Sequence, residues 1–210
     1  MASIQQLVEN PLVAIMRGVN SDHADEIIKA LKKGGIKAVE ITLDSLNACE
    51  MIRRFSKDEE MLVGAGTVLD PESARAAIQH GAKFIVAPTL NLKTIEMSNR
   101  YGVISIPGCL TPTEILTAYE HGADMVKIFP AGSMGAGYFK NLSGPLGQIP
   151  LMATGGISES NLMGYIKAGV TAVGLGSSLV PKTISETADL EQIVSIASRL
   201  VQLVNSGSNQ

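Results

Sequence analysis

The chain has 210 residues, 45% hydrophobic and 18% charged, with a net charge of −3, which suits one soluble domain over 1–210 with a substantial core. The mildly acidic balance offers no Lys/Arg cluster with interleaved aromatics, so the basic footprint of a nucleic-acid binder is missing. No apolar run approaches membrane-spanning length, and the start Met1-Ala2-Ser3-Ile4-Gln5-Gln6 has no basic segment leading into an apolar one; a cytoplasmic protein with no membrane partner is expected.

In chain order, a short helix around 3–9 precedes a strand over 12–16. That strand ends at Arg17, in phase with Val13 and Ile15. A helix over 22–33 leads to strand 38–42, where Glu40 is in phase with Ala38 and Thr42. Strand 62–65 closes at Thr67, in phase with Val63 and Ala65, before a helix over 71–80 with proline in its first turn. Strands at 84–87, 103–106 and 125–128 are followed by Pro88, Pro107 and Pro130, which end them, and a helix spans 112–121. Gly132-Ser133-Met134-Gly135-Ala136-Gly137 reads as a flexible loop. A strand over 151–153, a helix over 159–168 capped by Ser158, a strand over 172–175 and a helix over about 190–204 complete the chain.

The strands share one entry signal. A polar helix end meets glycine and then a short apolar run at Gly35, Gly81, Gly102, Gly122 and Gly169. Glycine past a helix end takes the left-handed conformation that stops the helix, and β-branched residues then begin a buried parallel strand. Eight alternating βα units without a linker predict a (β/α)8 barrel. An open doubly wound sheet lacks its G-x-G-x-x-G after the first strand.

Within this pattern Lys127 is conspicuous. Met125-Val126-Lys127-Ile128-Phe129 otherwise reads as a buried strand, with the lysine facing opposite to Val126 and Ile128. Burial without a full counter-charge disfavours the ammonium form and favours a nucleophilic amine; the alternative is a structural lysine paired to a carboxylate. In a barrel the chemistry belongs at the carboxyl ends of the strands, and Arg17, Glu40, Thr67 and Lys127 all fall there, which favours the reactive reading. Thr154-Gly155-Gly156-Ile157 after strand seven and Gly174-Leu175-Gly176-Ser177-Ser178 after strand eight place two glycine-rich loops where barrels of this type hold phosphate. Phe129 reads as core or as a wall beside the amine. His23, His80 and His121 fall at helix ends without a second ligand at metal spacing, and Cys49 and Cys109 show no ligand spacing, so no metal and reduced thiols are expected.

Ala14-Ile15-Met16-Arg17-Gly18, Val39-Glu40-Ile41-Thr42-Leu43, Gly64-Ala65-Gly66-Thr67-Val68, Lys127-Ile128-Phe129-Pro130 and Thr154-Gly155-Gly156-Ile157 together resemble the bacterial 2-dehydro-3-deoxy-phosphogluconate (KDPG) aldolase family, which includes 4-hydroxy-2-oxoglutarate (KHG) aldolases. The resemblance runs from about residue 11 to 180. It implies a class I aldolase, independent of metal and cofactor, built as a homotrimer of (β/α)8 subunits. Such an enzyme splits a phosphorylated 2-keto-3-deoxy sugar acid into pyruvate and glyceraldehyde 3-phosphate. Residue by residue, it implies Lys127 as the Schiff-base lysine and Glu40 as the proton shuttle. Arg17 and Thr67 would hold the carboxylate, Phe129 would shield the iminium, and Pro88 and Thr154 would contact substrate. Gly155, Gly156, Gly176 and Ser177 would take the phosphate. Many members carry arginine where this chain has Asp44. Leu43-Asp44-Ser45 is similar to relatives that cleave the 6-phosphogalactonate epimer, whereas Thr154 leans toward phosphogluconate. A phosphosugar isomerase or epimerase with Glu40 as base, and a silent phosphate-binding barrel, are the competing readings.

Overall fold

The computed structural model describes residues 3–181 and 187–207. The one-domain expectation also covered residues 1–2, 182–186 and 208–210, which lie outside the described residues. The strands are β1 Leu12–Met16, β2 Ala38–Thr42, β3 Leu62–Gly66, β4 Phe84–Val86, β5 Ile104–Ile106, β6 Gly108–Cys109, β7 Val126–Ile128, β8 Leu151–Thr154 and β9 Ala172–Leu175. The helices are α1 Ile4–Glu9, α2 Ala24–Lys33, α3 Ala48–Phe55, α4 Pro71–Gln79, α5 Leu92–Arg100, α6 Pro112–Glu120, α7 Ala131–Met134, α8 Ala136–Leu146, α9 Leu162–Lys167 and α10 Thr187–Gly207, with a 3-10 turn at Ser21–His23 before α2.

All strand pairings are parallel, in the order β5-β4-β3-β2-β1-β9-β8-β7-β6. β5 and β6 are two halves of one barrel strand interrupted at Pro107, which has no amide hydrogen to give to a ladder. The Ser105 carbonyl accepts from Asp124 N–H at 3.1 Å and the Pro107 carbonyl from Lys127 N–H at 2.9 Å, so this broken strand has β4 on one side and β7 on the other. Nine strand segments among the described residues therefore fill the eight positions expected of a (β/α)8 barrel.

Local signals account for the alternation. Gly35, Gly81, Gly102, Gly122 and Gly169 have φ of 89°, 101°, 64°, 86° and 87°, and the following residue in each case donates back five positions: Ile36 to Leu31, Ala82 to Ala77, Val103 to Ser98, Ala123 to Ala118 and Val170 to Tyr165. This is the reversal that a left-handed glycine permits after the last helical turn, repeated at five helix-to-strand joints. At helix starts, Asp70 accepts from Ser73 N–H ahead of Pro71, and Thr111 with Glu114 forms a reciprocal cap on α6. His80 and His121 end α4 and α6 with Nδ1 at 2.7 Å from the carbonyls of Ala76 and Thr117.

Besides the strand that resumes past Pro107, which was expected to end there, two elements depart from the sequence reading. Residues 132–137 are not a flexible loop: they form most of α7 and the start of α8, because Phe139, Leu142 and Leu146 bury an apolar face that outweighs the poor helix propensity of glycine. Gly132 packs closely there: a Cβ would stand 3.0 Å from Gly155 O and Gly156 Cα, tighter than most Cβ contacts. Ser158 does not cap a helix at 159; α9 starts at Leu162, and Asn161 accepts from Ser158 N–H at 2.9 Å while donating to Gly156 O.

The alternating pattern separates two layers of core. Val13, Ala38, Leu62, Phe84, Met125, Met152 and Ala172 fill the barrel interior, closed from below by Leu7 of α1. Ala14, Val39, Val63, Val126 and Ile128 face outward against helix residues such as Ile27, Leu31, Met51 and Ile52. Among the described residues no helix is long and apolar enough to cross a membrane.

Candidate active site

Above the interior apolar layer the inward positions turn polar. Glu40 of β2 stands in register with Ile15 of β1 and Gly64 of β3, and is completely buried. Neither carboxylate oxygen has a hydrogen-bond partner. Space for the side chain comes from β3, where a Cβ on Gly66 would overlap Glu40 Oε1 and lie 2.5 Å from Cδ and Cγ. Burial raises the Glu40 carboxyl above its usual value of 4.5; the charges of Lys127 and Arg17 act against that rise, and Asp44 adds to it. A buried carboxylate without partners is costly to retain in a core, and such orphaned groups concentrate where a ligand completes them.

Lys127 lies on β7 between Gly108 and Met152, 2% exposed, on the same inner face as Met125. Its amine faces the Glu40 charge without forming a hydrogen bond to it. The Phe129 ring, 41% exposed, lies with its centroid 5.5 Å from Nζ, and the Phe129–Pro130 peptide is cis. The amine is thus flanked by an aromatic ring that itself lines the neighbouring cleft.

Arg17 projects just beyond β1, donating to Thr67 Oγ1 at 3.1 Å through one nitrogen while the other stands 3.8 Å from Asp44. Phase alone would not bring Thr67 here. Val63 and Ala65, with which it alternates, belong to the outer layer. The chain instead leaves β3 at Gly66 and takes φ 55° at Thr67, a left-handed conformation rare for a β-branched residue, which turns the hydroxyl to the guanidinium.

A cleft of about 530 Å³ opens beside these groups, lined among others by Ile15, Arg17, Phe129, Thr154, Gly155, Gly156, Gly176 and Ser177. Gly155 and Gly156 have φ of 91° and 74°, and Gly176 has nothing within 4 Å of where a Cβ would stand. The Gly176 carbonyl accepts from the amides of Leu179 and Val180, both at 2.9 Å, so the chain makes a helical turn from Gly176 onward. At the wall of the cleft the buried Thr154 hydroxyl lacks a partner and leans over Gly174. Pro88 is half-buried beyond β4, packed against Gly108, and is not among the residues that line the cleft. Among the described residues, no three His, Cys, Asp or Glu side chains are grouped as a metal ion would need.

The family model described as "KDPG and KHG aldolase" matches residues 4–196. The chain belongs to this family of carbon–carbon lyases. It is 40% identical over 172 residues to the 2-dehydro-3-deoxy-6-phosphogalactonate aldolase of Escherichia coli strain K12, covering 80% of this chain and 84% of the relative. Among solved structures it is similar to "Native KDPGal structure", with TM-score 0.88 and 35% identity over 95% of this chain and 97% of the other. It also resembles the KDPG aldolase of Legionella pneumophila "with pyruvate captured at low pH as a covalent carbinolamine intermediate", at TM-score 0.85 and 25% identity, covering 92% and 95%.

Of the residues singled out in the sequence, Arg17, Phe129, Thr154, Gly155, Gly156, Gly176 and Ser177 line the cleft, whereas Lys127, Glu40, Thr67 and Pro88 are not among its lining residues, and the contacts of three neighbours were not read. Gly66 appeared only as part of a motif, although its missing side chain makes the room for Glu40. Asp44 was marked by its departure from the family, which was the available signal for its contact with Arg17. Ser158 lines the cleft and was read as a helix cap instead.

Proposed function

We propose that this chain is a Schiff-base aldolase that cleaves 2-dehydro-3-deoxy-6-phosphogluconate to pyruvate and D-glyceraldehyde 3-phosphate. The observation that carries the reading is the buried Lys127 amine facing a buried, unpartnered Glu40 carboxylate at the edge of a glycine-lined cleft. The free amine of Lys127 attacks the C2 carbonyl to give a carbinolamine. Glu40, as its acid, protonates the departing hydroxyl and leaves an iminium. Glu40, now a carboxylate, takes the C4 hydroxyl proton directly or through water; the C3–C4 bond breaks, its electron pair passes into the iminium as an enamine, and the aldehyde leaves. Protonation at C3 and hydrolysis of the new iminium release pyruvate and restore the lysine.

Arg17 holds the substrate carboxylate by charge-assisted hydrogen bonds and Thr67 by its hydroxyl. Phe129 covers the iminium. The backbone amides of Gly155, Gly156, Gly176 and Ser177 receive the phosphate, so the reacting bond lies between two anchored ends. The unpartnered Thr154 hydroxyl supplies a hydrogen bond to a substrate hydroxyl between those ends. No cofactor is required, and the working unit is a homotrimer, as the family resemblance implies.

A second reading takes the 6-phosphogalactonate epimer as main substrate and is favoured by the 40% identity to an enzyme of that name. Cleavage of 4-hydroxy-2-oxoglutarate to pyruvate and glyoxylate is an added activity of either. The test is incubation with pyruvate and borohydride followed by peptide mass spectrometry, together with kcat/KM for both epimers. An adduct on Lys127 and faster cleavage of the gluconate epimer are expected. A folded protein without an adduct refutes the Schiff-base mechanism and leaves an isomerase, whereas a higher kcat/KM for the galactonate epimer selects the second reading.

A further inference from the structure

We infer that Asp44 is a positioning residue for Arg17, setting the guanidinium for the substrate carboxylate without touching substrate itself. The inference rests on the assignment of Arg17 to the carboxylate.

Three observations lead to it. First, Arg17 is half-exposed, and a long side chain in that setting samples several rotamers unless it is tied. Here it is tied from two sides: one terminal nitrogen donates to Thr67 at 3.1 Å and the other faces Asp44 at 3.8 Å. Second, the Asp44 contact is too long for a formed hydrogen bond, so it acts as a charge pair. The arginine fork has five donor hydrogens, and an attraction of this length directs it while leaving donors for an incoming carboxylate.

Third, Asp44 stands on a loop that is itself held in place. Ser45, buried, accepts from Gly18 N–H at 2.8 Å and lies 3.1 Å from Thr42 Oγ1, which in turn donates to Met16 O at 3.3 Å. Ser45 N–H donates to Thr42 O at 3.0 Å and Leu43 N–H to Gly66 O at 2.9 Å. These bonds join the loop after β2 to the residues next to Arg17 and to the end of β3 next to Thr67. Asp44 and Thr67 are therefore fixed relative to the base of the arginine that both contact.

Pyruvate tests this best, because it carries the carboxylate and carbonyl without the phosphate. The half-saturating pyruvate concentration for borohydride inactivation, and kcat and KM for cleavage, are measured for wild type, Asp44→Asn, Asp44→Glu, Arg17→Ala and Arg17→Ala/Asp44→Asn, with Asp44→Ser as a second charge-removing variant. An exposed charge pair implies a rise of about two- to fivefold in the pyruvate half-saturation and KM of Asp44→Asn, with kcat within about twofold. Asp44→Glu, which returns the charge, recovers most of the loss, and Asp44→Asn has no further effect once Arg17 is alanine. If Arg17→Ala raises both constants while Asp44→Asn and Asp44→Ser leave them at wild-type values, the inference fails and the carboxylate assignment stands. An equal effect of Asp44→Asn with and without Arg17 also overturns it, since a loop-anchoring role acts without the arginine. Unchanged constants in Arg17→Ala remove the carboxylate assignment and the inference together.

Discussion

The Glu40 carboxylate occupies the space that a side chain on Gly66 would fill. Gly66 is the last residue of β3, and a Cβ there would overlap Oε1. Its φ is not among the positive ones, so alanine is tolerated by the backbone and its effect falls on the carboxylate. Gly66→Ala is expected to fold with near-native circular dichroism and to lower kcat by about 10²-fold, the scale of an ångström-sized misplacement of a catalytic group. Wild-type kcat in a folded Gly66→Ala would show that Glu40 need not sit where it does.

Lys127 stands on a strand packed on both sides, so its replacement must preserve volume to isolate the chemistry. Lys127→Met keeps a long unbranched side chain and removes the amine. Cleavage is expected to fall below detection, with no borohydride adduct from pyruvate and a cooperative thermal transition retained. The lysine charge is the larger of the two that hold the Glu40 carboxyl down against burial, so its loss moves Glu40 further toward the neutral acid and avoids an uncompensated buried charge. Residual aldolase activity in the folded variant would exclude the Schiff-base role.

Much of this was legible in the chain, for identifiable reasons. The strands could be placed because each begins after a glycine whose left-handed turn is a local property, and the phase of Glu40 with Ala38 followed from strand alternation. What escaped depended on distant neighbours. The break at Pro107 has the same local signature as the prolines that end the strands before and after it, and only its neighbours on β4 and β7 show that the strand resumes. The helices around Gly132 and Gly135 exist through burial of Phe139 and the approach to Gly155, neither of which glycine-rich sequence advertises. Thr67 lies on the outer phase of β3 and reaches Arg17 only through a backbone conformation that alternation does not contain. The room for Glu40 is a property of a glycine on another strand.

Burial sets the pH behaviour of Glu40. Its carboxyl is raised above 4.5 in the folded chain, so the folded state binds the proton more tightly than the unfolded one. The resulting stability is fully present below the unfolded value and is lost as pH rises through the folded one. Glu40→Gln, which stays neutral, is expected to gain in melting temperature relative to wild type as pH rises above the ordinary carboxyl value of 4.5, while turnover falls by about 10²- to 10⁴-fold. Parallel melting curves across that range would place the folded value near the usual one, and an unchanged kcat would remove Glu40 from the proton transfers.

The two ends of the cleft can be separated by charge. Ser177 is exposed, at the start of the turn that follows β9, and lines the same cleft as Gly155 and Gly156, away from the inner face that carries Lys127. An aspartate at this position would set a negative charge against an incoming phosphate dianion and leave the carboxylate end unaltered. Ser177→Asp is expected to raise KM for the phosphorylated substrate by about tenfold or more, the cost of a like charge beside a bound anion in a partly enclosed site. The same variant should form the pyruvate adduct at wild-type pyruvate concentrations and cleave 4-hydroxy-2-oxoglutarate, whose distal carboxylate is shorter in reach and lower in charge than a phosphate dianion, with a smaller rise in KM. The discriminating measurement is the ratio of the two KM values across a salt series, because a repulsion between charges weakens as ionic strength rises. A shift of equal size for both substrates would mean that the substitution disturbs the barrel mouth as a whole, and the phosphate would then have to be placed elsewhere than on the loops after β8 and β9.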